Sequence, residues 1–221
     1  VTTAKIEPSR SKKKLLLISG ACGILIPLVV LGFEALAIYY SPGHFDLTQN
    51  WLNDLTGLGY ASFLNVSRPL VSSPTTEVLY RSGHIIGGIL AIVFSIGLYI
   101  DLYTDNKMPS YSLGAVFGVL GSGALSVVGI FPEPMGVINL VATFAFALLV
   151  STGILLIGGA LIDASHRRLG GLSIVLGIVA LAGLSLISYL RGSAQVIAFG
   201  AIGVWVLVFG VRMLWRASHQ M

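Results

Sequence analysis

Charge is what this chain has least of. Of its 221 residues, 10% are charged and 55% hydrophobic, with a mean hydropathy of +0.91. A soluble domain carries about 25% charged residues, so this sequence lacks the polar surface to cover a water-facing exterior. Cysteine is nearly absent too. Cys22 stands alone, which excludes an intramolecular disulfide and any cysteine cluster for zinc or iron–sulfur. It lies in an apolar stretch and reads as a small buried hydrophobe. The sequence contains no H-E-x-x-H, no G-x-S-x-G, no P-loop and no dinucleotide fingerprint. Of the histidines, His44, His166 and His219 fall in loops or the tail, and His84 alone sits within an apolar run. Bis-histidine haem needs two at bilayer depth, so intrinsic haem is not expected, nor any other cofactor. A zinc site would need His84, carboxylates and His44 from a distant loop, and no metal site is expected. Ser82 is two residues from His84 and does not face it on a helix.

What the chain does have is long apolar runs. Six can span a bilayer, at roughly 15–40, 78–101, 111–131, 136–162, 170–190 and 194–215. Isolated strands cannot satisfy their backbone in lipid, so the expectation is an all-α, polytopic six-helix bundle. The first run resembles a secretory signal, with a basic start and Ala35-Leu36-Ala37 before Ile38. It is longer than the ~7–15 residues of a signal core, and reads as a retained anchor helix kinked at Pro27. Residues 1–14 then form a basic tail, 15–216 a single membrane domain and 217–221 a second tail.

Basic residues orient the bundle. With the N-terminus cytoplasmic, Lys5, Arg10, Lys12, Lys13, Lys14, Lys107, Arg167, Arg168, Arg212 and Arg216 lie inside, against Arg68, Arg81 and Arg191 outside. That bias predicts both termini in the cytoplasm and a location in the plasma membrane. The net charge of +4 then reflects flanks facing anionic lipid. Membrane lipids are the expected partners, other integral membrane subunits a further class, and nucleic acid none.

The first outer loop, about residues 41–76, is far longer than the usual ~4–6 residues. Trp51, Leu52 and Leu55 are spaced for a short interfacial helix, ended by Gly57 and Gly59, so the loop reads as a folded cap. Asn65-Val66-Ser67 within it is a glycosylation sequon.

The segments NDLTGLGY in this loop and VVGIFPEPMG at the end of the third run resemble the domain-of-unknown-function 998 family. That resemblance covers nearly the whole chain and implies a six-helix membrane protein of archaeal or bacterial type. The family is similar in layout to six-span proteins of the Frag1/DRAM type. Where its members commonly carry a histidine after the FP motif, this chain has Asn139, and the resemblance implies no reaction.

The second run opens TEVLYRSGHIIGG, with three ionisable groups in eight residues. At ~100° per residue, Glu77, Arg81, His84, Gly88 and Ser95 share one stripe, polar at its outer end and small further in. Such a stripe should face protein, with Glu77 and Arg81 paired at i,i+4 and His84 about 10 Å deeper than Glu77. Glu34 near the end of the first run is at similar depth, and consecutive helices are antiparallel neighbours by default, so Glu34 and His84 should approach. Asp54 in the loop, Glu133 in the FPEP turn and Arg191 between the last two runs belong to the same level. Glu34, Asp54, Glu77, Arg81, His84, Glu133 and Arg191 are therefore the candidate outer polar pocket, either a structural ion-pair network or a binding site.

Two functional classes follow. One is a non-catalytic accessory or assembly subunit of a membrane complex, presenting its outer loop. Its support is small-residue spacing such as Gly114, Gly118 and Ser122. The other is an enzyme or carrier for a lipid or lipid-linked molecule at an outward-facing pocket. The residues assign no catalytic role.

Overall fold

A computed structural model describes residues 10–57, 72–103 and 108–219. Six α-helices account for nearly all of them: α1 (Arg10–Tyr39), α2 (Pro74–Tyr103), α3 (Pro109–Ile130), α4 (Val137–Asp163), α5 (Arg167–Ser185) and α6 (Ile187–His219). All six contain a stretch long and apolar enough to cross a membrane. Asn65, Arg68, Gly59, Lys5 and Lys107 lie outside the described residues, as does the side chain of Glu133.

Local chemistry sets the helix ends. Pro74 and Pro109 occupy first turns, where a missing N–H costs nothing. α4 ends on Ser165 at φ 67°, with His166 N–H donating to Leu161 O at 2.8 Å. That is a left-handed cap closing a six-to-one bond.

Each helix packs mainly against its neighbours in sequence, and α6 closes back onto α1. The bundle is thus a ring of alternating helices, with the start of α1 and the end of α6 at one end. Small residues permit the close approaches. A Cβ on Gly88 of α2 would overlap Ser126 and sit 2.8 Å from Ser122 O on α3, and one on Gly114 would sit 3.0 Å from Gly153 O on α4. Gly20 and Gly210 oppose each other where α1 meets α6. The ring encloses an aromatic core: Phe146 lies edge-on to Phe199 at 5.3 Å, and Trp205 lies 4.6 Å from Phe209.

The polarity of the bundle is inverted relative to a soluble protein. Leu28, Val116, Val141, Val175 and Val211 point outward, while His84, Asp101, Asn139, Ser151 and Gln195 are buried. In lipid, polar side chains belong inside, where they find partners.

Three boundaries differ from the sequence reading. α1 begins at Arg10 and takes Lys12–Lys14 into the helix, and α6 runs on through the expected tail to His219. The fifth span ends at Ser185 rather than near 190, and the turn falls at Leu186. Arg191 keeps its expected place between the last two spans, as a break at φ 47° and ψ −121° that separates residues 187–190 from the rest of α6. The break survives because the loop answers it: Gly192 N–H donates to Asn50 O at 3.0 Å and Ser193 N–H to Leu47 O at 3.1 Å. A freed backbone donor with a new acceptor is not lost energy.

Candidate functional site

The loop after α1 folds into a plug over one end of the ring. Residues Leu52–Thr56 form a 3-10 helix, and all five are buried. The segment expected to lie at the interface is therefore packed within protein, because Leu52 and Leu55 find a core between the helix ends. Gly57 ends the plug at φ 132°, and a Cβ there would lie 2.6 Å from Pro134 Cγ, so this position requires glycine.

Asn53 is the hub of the plug. Its Nδ2 donates to Asn139 Oδ1 at 2.6 Å and to Thr143 Oγ1 at 3.1 Å, both on α4. Its Oδ1 accepts from Tyr80 Oη of α2 at 2.7 Å and, at 3.5 Å, from Gln195 Nε2 of α6. Gln195 Oε1 in turn accepts from Leu52 N–H at 2.6 Å, and Asn139 Nδ2 donates to Phe131 O at 2.6 Å. One asparagine thus ties the cap to three helices through uncharged groups.

Tyr80 continues the chain of contacts downward. Its ring stacks on His84 at 4.0 Å, and its backbone oxygen lies 2.9 Å from His84 Nδ1. His84 Nε2 faces Glu34 Oε1 of α1 at 3.5 Å, with the two side chains 1% and 5% exposed. Neither of those two atoms has a hydrogen-bond partner among the described residues. The expected approach of Glu34 and His84 is thus realised.

The other candidates are distributed differently from a single layer of paired charges. Glu77 and Arg81 pair at 2.8 Å but are 35% and 36% exposed, so theirs is a rim contact rather than a deep one. Arg81 spends its remaining donors on Gly129 O at 2.9 Å and Ile130 O at 3.2 Å, capping the C-terminus of α3. Asp54 Oδ2 accepts from Trp51 N–H at 2.9 Å and Asn50 Nδ2 at 3.3 Å, holding the plug's own turn. Arg191 donates to Gln49 O at 3.0 Å. Among the described residues no cluster of three or more histidine, cysteine or acidic side chains is placed to hold a metal.

Sequence reasoning missed the amides and a second charged cluster. Asn53, Asn139, Thr143 and Gln195 carry no charge, yet an Asn and Thr spaced i,i+4 inside an apolar run was the available signal. At the other end of the ring, fully buried Asp101 lies 2.8 Å from Arg216 and 4.0 Å from Arg212. Those arginines, four apart on α6, were read as cytoplasmic flank charges.

Between the two polar ends lies an apolar chamber of about 70 Å³, reached by five of the helices. Val30, Ser95, Gly118, Leu125, Phe146 and Trp205 are among its lining. Leu31, the exposed member of the lining at 38%, stands near half-exposed Pro27 and Gly203, so the chamber approaches the outer surface between α1 and α6.

Fold and site together define a class: an all-α bundle of six membrane-length helices, plugged at one end, with a central apolar chamber. No protein-family model, curated protein or solved structure matches the chain.

Proposed function

We propose that the protein is a multi-pass protein of the cell membrane that holds the hydrocarbon chain of a lipid or lipid-linked molecule in its central chamber. The observation that carries this reading is the chamber itself. Its volume is about 70 Å³, well above the ~10–15 Å³ that one water needs and about half of a ~150 Å³ engineered cavity that takes benzene. That size suits the end of an acyl or isoprenoid chain, not a headgroup. Leu31, Pro27 and Gly203 give such a chain a path from the surrounding lipid. The basic bias supports a cytoplasmic position for both termini and an outward-facing plug. The likeness of NDLTGLGY and VVGIFPEPMG to the six-helix family supports a bacterial or archaeal source.

The accessory-subunit reading draws less support. Gly114, Gly118 and Ser122 close on neighbours within the chain: Gly114 on Gly153 and Ile157, Gly118 on Ser95 Oγ, and the Ser122 backbone oxygen on Gly88. Spacing spent inside one bundle is not left over for a partner.

The test is photo-crosslinking in bilayers with a diazirine at the end of a phospholipid acyl chain. Labelled peptides should map to Leu31, Phe146 or Phe199, and Gly203→Phe, with space beside only Pro27, should block them. Labelling confined to outward residues such as Leu28 and Val141, unchanged by Gly203→Phe, would end the reading.

A further inference from the structure

We infer that Glu34 and His84 form a proton-binding site that latches the plug, one proton being its ligand. The atoms dictate the count. A carbonyl oxygen can only accept, so His84 Nδ1, 2.9 Å from Tyr80 O, carries a hydrogen. Nε2 then faces Glu34 Oε1 across 3.5 Å with nothing else among the described residues to bond. With no proton between them, two lone pairs confront each other and the buried pair is a net anion. With two, two hydrogens confront each other and the pair is a net cation. One proton serves both atoms and leaves the pair neutral, whether it rests on oxygen or on nitrogen. A buried uncompensated charge is the costly alternative in both other states.

Occupancy of this site is felt at the plug. Tyr80 stacks on His84, takes the Nδ1 hydrogen at its backbone and bonds Asn53 through its hydroxyl at 2.7 Å. Loss of the proton to solvent places an anion one contact below that hub. Of the other ionisable side chains described at this end, His44 is exposed, Asp46 accepts from Thr48 N–H and hydroxyl, and the rest have engagements of their own. On α2, Glu77 and Arg81 pair and turn to the end of α3. On the plug, Asp54 holds Trp51 and Asn50. On α6, Arg191 holds Gln49 and Tyr189 points outward. At the end of α1, Tyr39 and the following Tyr40 are exposed. α3 carries no acidic, basic or histidine side chain, and in α4 the sole one is Asp163 at the far end. This inference does not depend on what occupies the chamber.

Two measurements on the full chain in lipid nanodiscs decide it. Nitrogen NMR of histidine-labelled protein should show His84 hydrogen-bearing at Nδ1 throughout about pH 5 to 8. Hydrogen exchange across Leu52–Thr56 should rise with pH on the order of tenfold more in wild type than in Glu34→Gln. The amide of that variant donates to Nε2 at every pH and so keeps the latch closed. A bare Nδ1 on His84 within that range overturns the site whether or not the variant folds. An exchange ratio between wild type and Glu34→Gln that stays constant with pH overturns the latch.

Discussion

Asn53 in the plug and Asn139 in α4, 86 residues apart in sequence, meet at 2.6 Å amide to amide. This contact joins the plug to a largely apolar helix. Replacing Asn53 by leucine would take one partner each from Asn139 Oδ1, Thr143 Oγ1 and the Tyr80 hydroxyl. A buried polar group left unsatisfied costs about 1–3 kcal/mol. A single interhelical hydrogen bond in a membrane protein averages ~0.6 kcal/mol. Asn53→Leu should therefore lower the unfolding temperature in detergent clearly more than Tyr80→Phe, which removes one donor. Equal shifts would mean that Asn53 is not the hub.

Glycines that look alike in sequence should behave in opposite ways. A Cβ on Gly88 would strike Ser126 and lie 2.8 Å from Ser122 backbone oxygen, whereas one on Gly123 meets nothing within 4 Å. Gly88→Ala should destabilise by about 1–3 kcal/mol through forced helix separation. Gly123→Ala should be neutral or stabilising by up to ~1 kcal/mol, from helix propensity. Thermal unfolding of the two variants checks the α2–α3 contact, and a stable Gly88→Ala would refute it.

The contrast explains what was legible. Apolar runs of about twenty residues announce spans directly, and i,i+4 spacing placed Arg81 beside Glu77. The depth match of Glu34 and His84 was likewise readable, because antiparallel neighbours convert distance from a helix end into height. Partners from distant elements were not readable. Nothing local to Asn53 points to residue 139, and nothing near Asp101 points to residue 216. The backbone break at Arg191 was not readable in its details either, because it shows only with the acceptors that stabilise it, the Asn50 and Leu47 carbonyls. Charge also misled the search: the hub is made of amides and a phenol, which bury without the cost of a naked ion.

Orientation can be read with native Cys22 buried and so silent. Cysteine placed at exposed His44, beside the plug, should react with an impermeant maleimide in intact cells. Cysteine at exposed Ser165, at the opposite end of the bundle, should react only after permeabilisation. The reverse pattern would invert the proposed topology.

Asp46 gives the loop an acid limit. Its carboxylate accepts from Thr48 N–H and the Thr48 hydroxyl, each at 2.8 Å, and these bonds hold it below the usual carboxylate range. A lowered folded pKa adds stability above the unfolded value and loses it as pH falls through the folded one. The Asp46 turn presents the Leu47 and Asn50 carbonyls to the α6 break, so the protection of Gly192 and Ser193, relative to the intrinsic exchange rate at each pH, should fall on acidification. Asp46→Asn should lack that acid step. An identical acid dependence in the variant would disconnect the turn from the break.

Asp101, Arg212 and Arg216 test whether the end of the bundle opposite the plug is held by charge. Asp101 is fully buried, while the arginine side chains are 16% and 17% exposed. Removing one member of a buried pair costs about 3–5 kcal/mol because its partner stays charged, whereas replacing both by apolar groups is often neutral. Arg216 holds the short contact, at 2.8 Å against 4.0 Å for Arg212. Arg216→Leu should therefore destabilise strongly, and Arg212→Leu less. The double variant Asp101→Leu, Arg216→Leu should recover much of the loss, since no buried carboxylate remains and Arg212 can extend its guanidinium toward the headgroups. Unfolding temperatures of these three variants and of Asp101→Leu, measured in one detergent, give the order. If the double variant fell to the sum of its single substitutions, Asp101 and Arg216 would be acting independently, and the α2–α6 closure at this end would rest on apolar packing alone.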